Sequence, residues 1–82
     1  MGTEAGIEAA IEAKVAGQYA TWTVGVTDNI QTRWEQHGKP ARWTAWNADT
    51  EQAARNVETH FIAKGMKGGV GGLGGADYVY IF

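Results

Sequence analysis

Arg33 and His37 stand four residues apart in IQTRWEQH, so on a helix they project side by side from one face. A guanidinium stays charged and only donates hydrogen bonds, whereas an imidazole changes charge near neutrality. Together they suit an anion such as a phosphate. A carboxylate, Glu58, follows in TEQAARNVETHFIAK, and both it and His60 sit outside the centre of that segment's apolar stripe. Each residue also has a plainer reading: Arg33 and Glu58 as an ion pair between helices, His37 and His60 as surface side chains.

The elements that must carry these groups follow from periodicity. Trp22, Val24 and Val26 alternate with Thr21, Thr23, Gly25 and Thr27, which predicts a half-buried strand within residues 18–27. A helix over 28–37 follows, with Asp28 as N-cap, Gln31 completing a capping box, Ile30 and Trp34 as its apolar pair, and Gly38 and Pro40 as stops. Before them, Thr3 caps a helix over 3–16 whose thin stripe is Ile7, Ala10, Ile11 and Val15. After them, 42–47 reads as a second strand, with Trp43 and Trp46 on opposite faces so that both faces are covered or a bulge intervenes. Asp49 then caps the longest helix, 50–64, with Ala53, Ala54, Val57, Phe61 and Ile62 as its buried stripe.

Residues 65–75 hold seven glycines in eleven positions and read as a long connection. Gly69, Gly71 and Gly74 match G-x-G-x-x-G, but with no strand before and no helix after, a dinucleotide site fails its context. An inert connector is the expectation, and a loop touching an anion with Lys64 or Lys67 the alternative. Residues 76–82 close with DYVYIF, a strand with Tyr78, Tyr80 and Phe82 on one face. One 82-residue α/β or α+β domain follows, a small three-stranded sheet packed by about three helices.

Composition narrows the function classes. No cysteine is present, so neither a disulfide framework nor a thiol nucleophile is available. No apolar run reaches the ~20 residues of a membrane span, so no membrane partner and a soluble, cytoplasmic protein are expected. Net charge is -2, yet residues 31–69 carry Arg33, Lys39, Arg42, Arg55, Lys64 and Lys67 against four acids, which permits a phosphate ligand.

Residues 22–64 resemble the GIY-YIG nuclease family. Thr23-Val24-Gly25 falls where the family has Tyr-Ile-Gly, Arg33 on its catalytic arginine, His37 on a position often held by histidine or tyrosine, and Glu58 on the helix glutamate that holds one divalent metal ion. Two departures accompany the likeness: the family's first tyrosine position falls on Ala13, and its second is Thr23. The terminal GADYVYIF is similar in composition to the family's opening strand, which implies an arrangement like a circular permutant in which Tyr78 or Tyr80 supplies a hydroxyl near Arg33 and Glu58.

The resemblance implies phosphodiester chemistry on DNA, with Mg²⁺ or Mn²⁺ on Glu58, Arg33 neutralising the phosphate, and His37, Tyr78 or Tyr80 orienting or deprotonating water. Arg33, Lys39, Arg42, Lys64 and Lys67 would then meet nucleic acid. Because both tyrosines are displaced, the expectation is the family's fold with lost or altered activity. An active metal-dependent endonuclease is one alternative. The other is a non-enzymatic scaffold that self-associates through the N-terminal helix or the terminal strand.

Overall fold

A computed structural model describes residues 2–68 and 75–82. The elements are α1 (Glu4–Val15), a 3-10 turn (Tyr19–Thr21), β1 (Thr23–Thr27), α2 (Ile30–Gln36), β2 (Thr44–Asn47), α3 (Glu51–Ala63), β3 (Lys67–Gly68) and β4 (Tyr78–Ile81). The strands form one open sheet in the order β2-β4-β1-β3. β4 is antiparallel to both neighbours, whereas β3 runs parallel to β1, a sense reached through the intervening α2, β2 and α3. The described residues thus make a small mixed α/β domain of three helices and a four-stranded sheet.

The fourth strand corrects the expected three. β3 is two residues long and glycine-rich, so it carries no periodic pattern. The glycines Gly69, Gly71 and Gly74, matched above to a dinucleotide spacing, lie outside the described residues.

One sheet face is the core. Val24, Val26, Val79 and Ile81 pack against Ile7, Ile11 and Val15 of α1 and Ala54, Val57 and Phe61 of α3. Ile62, expected in that stripe, is 44% exposed instead, because it turns away one position beyond Phe61. Trp46 packs against this core while Trp43 stacks on Tyr80, so both faces of the strand are covered and β2 needs no bulge. Tyr80, alternating with Val79 and Ile81, belongs to the other face.

Two of the three helix caps shift by one place from their expected positions. Thr3 caps α1 as expected, its hydroxyl accepting from the Gly6 N–H. α2 is capped by Asn29 rather than Asp28, because the Thr27 hydroxyl accepts the Asn29 N–H at 3.0 Å and carries the turn one residue further. Thr50 caps α3 in place of Asp49, whose N–H is already committed to the Gly2 carbonyl at 2.8 Å. At the other end of the chain, β4 pairs on both sides along its whole length. The terminal strand therefore has no free edge for self-association, and the outer strands are β2 and β3.

Candidate functional site

His37 is the C-cap of α2, its N–H donating to the Arg33 carbonyl. The chain then reverses through Gly38 at φ 84° and Lys39 at φ 54°, a left-handed pair that glycine enters without strain at its first position. Two bonds tie the turn back onto the helix: Lys39 N–H donates to the Trp34 carbonyl at 2.9 Å, and Trp34 Nε1 to the Pro40 carbonyl at 3.0 Å. The last turn of α2, and with it Arg33 and His37, is thereby held over the second sheet face.

What they meet there is Tyr80. Its hydroxyl lies 3.0 Å from His37 Nε2, and the Arg33 guanidinium is close enough to act on the same oxygen as a hydrogen-bond donor. Since arginine only donates, the Tyr80 proton is free to point at Nε2, and leaving it unpaired in a buried site would carry a penalty. The arrangement that gives the Tyr80 proton an acceptor has Tyr80 donating to Nε2 and His37 carrying its own proton on Nδ1.

Tyr80 reaches this junction because its row across the sheet is nearly empty. Its register partners are Gly25 on β1 and Ala45 on β2. A Cβ on Gly25 would collide with the hydroxyl end of the Tyr80 ring, so the glycine serves close approach rather than a turn. Trp43 stacks on the ring at 4.6 Å and 15°, and Phe82 lies 4.7 Å from His37. Tyr80 is fully buried, whereas Arg33, His37 and Glu58 are half-buried and reach the surface.

The electrostatics couple all four groups. Burial, then the positive charge of Arg33, lowers the His37 pKa, so the imidazole is neutral near pH 7. Burial raises the Tyr80 hydroxyl; the Arg33 charge lowers it, and the Glu58 charge raises it. Glu58 is itself raised by burial, opposed by Arg55. Arg33 and Glu58, from different helices, thus both act on one hydroxyl.

The remaining candidates disperse. Tyr78 stands opposite Thr27 and Asn47, two residues along the same face from Tyr80. Lys64 pairs with Glu12 at 2.8 Å, tying α3 to α1. Arg42 lies on the Trp22 ring at 3.5 Å and donates to the Thr21 carbonyl at 2.7 Å. Lys67 joins the same end of the sheet by donating its N–H to the Trp22 carbonyl, and Lys39 is exposed in the turn after α2.

Among the described residues, no three His, Cys, Asp or Glu side chains form a group that could hold a metal ion. The donor at this site is the one carboxylate of Glu58, which suits Mg²⁺ or Mn²⁺ when a substrate phosphate and water complete the shell.

Two participants escaped sequence reasoning: Gly25 as the space for Tyr80, and Trp43 as its wall. A glycine inside a strand pattern was the available signal for the first. Compared with family models, curated proteins and solved structures, the chain finds no match in any of the three.

Proposed function

We propose that this chain is a GIY-YIG-like domain that engages nucleic-acid phosphodiesters, with catalytic machinery altered from the family pattern. The observation that carries the reading is the Tyr80 hydroxyl 3.0 Å from His37 Nε2, and the charges of Arg33 and Glu58 acting on that hydroxyl support it. In this reading β4 takes the place of the family's opening strand, as a circular permutant would.

Arg33 binds the phosphate and neutralises charge that grows as water attacks. The water proton passes to the Tyr80 oxygen while the Tyr80 proton moves to His37 Nε2, giving an imidazolium. The P–O bond to the leaving oxygen breaks, and that oxygen takes a proton from solvent. Glu58 would hold a Mg²⁺ or Mn²⁺ ion, whose positive charge would stabilise the phosphoryl transfer.

The burial of Tyr80 favours a second outcome, binding without efficient cleavage, because water must first reach a shielded hydroxyl. Incubation of the purified chain with supercoiled plasmid and Mg²⁺ or Mn²⁺ separates the outcomes. Slow nicking that disappears in Glu58→Ala and Arg33→Ala supports the altered enzyme. Salt-sensitive DNA binding without nicking, weakened in Arg33→Ala and Arg42→Ala, supports the binding domain. A chain that neither cuts nor binds refutes both and leaves the scaffold.

A further inference from the structure

We propose that Trp43 is a positioning residue that fixes the Tyr80 hydroxyl at its junction with Arg33 and His37, and that it acts through its flat ring alone. Its kinetic consequence rests on the phosphodiester reading; its structural consequence does not.

Tyr80 has nothing beside it in its own row to hold its ring. Gly25 offers no side chain and Ala45 a single methyl group. The ring leans over Gly25, and the surface that closes its other side is the indole of Trp43, stacked at 4.6 Å with 15° between the planes. Trp43 stands one step beyond the Thr44–Ile81 pair, next to Phe82, on which it also stacks at 5.5 Å. His37 meets the same group, 6.3 Å from Trp43 and 5.5 Å from Tyr80. Trp43 therefore stacks on Tyr80 and neighbours His37 without a hydrogen bond to either.

The indole N–H shows what the position uses. Trp43 Nε1 is buried and has no hydrogen-bond partner. A buried tryptophan usually finds one, so here the ring face, not the donor, is what the site requires. Phenylalanine should replace it, and an aliphatic side chain of comparable reach should not.

The test is the protonation pattern of His37 in 15N-labelled protein, read for wild type, Trp43→Phe, Trp43→Leu and Trp43→Ala at a pH where His37 is neutral. Wild type and Trp43→Phe should show one tautomer, protonated at Nδ1 with Nε2 accepting. In Trp43→Leu and Trp43→Ala, Tyr80 is released and the two ring nitrogens should move toward a mixed-tautomer average. If Trp43→Ala does not fold, the comparison of Phe with Leu decides. A wild-type pattern in Trp43→Leu, or its loss in Trp43→Phe, would overturn the proposal, since a residue that merely fills volume would not distinguish the two.

In the plasmid assay, Trp43→Leu should lower kcat by up to about 10²-fold, as a ~1 Å misplacement can, with KM unchanged. A wild-type chain that neither cuts nor binds DNA refutes the phosphodiester reading, while the tautomer pattern still judges Trp43.

Discussion

Gly25→Ala is the sharpest perturbation of this structure, because one methyl group is placed where the Tyr80 ring already lies. β1 cannot retreat: it is paired with β4 on one side and β3 on the other, and its opposite face is core. Tyr80 must move instead. Overpacking alone costs about 1–3 kcal/mol. The displaced hydroxyl also gives up its bond with neutral His37, ~0.5–1.5 kcal/mol, and its charged bond from Arg33, ~1.5–3 kcal/mol. A total of about 3–7.5 kcal/mol is a large part of the ~5–15 kcal/mol that holds a domain. For a domain of this size each kcal/mol moves Tm by about 4–8 °C, so the low ends of both ranges give a fall of ~12 °C. Thermal unfolding followed by circular dichroism measures it. In a Tyr80→Leu background, where the aromatic ring is gone, the same alanine should cost far less, a coupling between two touching residues. A Gly25→Ala protein within about 4 °C of wild type would show that the alanine meets no fixed ring, and the account of the site would fail.

Three further outcomes follow from groups around the site and the core. Glu12 is held below its ordinary 4.5 first by the hydrogen bond from Lys64 and then by that from Tyr19. The folded state therefore favours the carboxylate, and its contribution is present above about pH 4.5 and lost as pH falls. Urea unfolding should find wild type more stable than Glu12→Gln at neutral pH, the gap narrowing as pH falls below about 4.5; a gap independent of pH contradicts the pairing. His37 is lowered from its ordinary 6.5 by burial and then by Arg33, so its contribution is present above that pH and lost below it. His37→Phe should accordingly lose less stability than wild type between roughly pH 7 and pH 5, and equal losses would place the imidazole in solvent. Thr50→Ala removes the hydroxyl that accepts the Ala53 N–H at 3.0 Å, and should cost about 1 kcal/mol by chemical denaturation. No loss would assign the cap to another residue.

Local patterns revealed the helices and the three longer strands because their signals are local. The stripe Ile7, Ile11 and Val15 and the stripe Ala54, Val57 and Phe61 are buried at helical spacing, and Val79 with Ile81 at strand spacing. Boundaries moved where two neighbouring residues compete for one role, as Asp28 and Asn29 do, and a contact elsewhere in the fold decides. Residues 19–21 show the same limit: they extend the strand pattern, yet coil into a 3-10 turn that the Thr21 hydroxyl braces on the Gln18 carbonyl. Arg33 and His37 were legible as a pair because four residues on a helix fix their relation without any tertiary knowledge.

Tyr80 was legible only as one of two tyrosines on a strand, and the reason lies in the sheet. It meets His37 across 43 residues of sequence, a relation no local spacing encodes. It became decidable once β4, last in sequence, is seated between β1 and β2, since that register sets Tyr80 and not Tyr78 against Gly25. Gly25 then selects the residue: only beside a missing side chain can a tyrosine ring lie down toward β1 and bring its hydroxyl to the end of α2. A sheet transmits neighbours rather than connections, so whichever end of the sequence supplies the central strand, the same three groups meet.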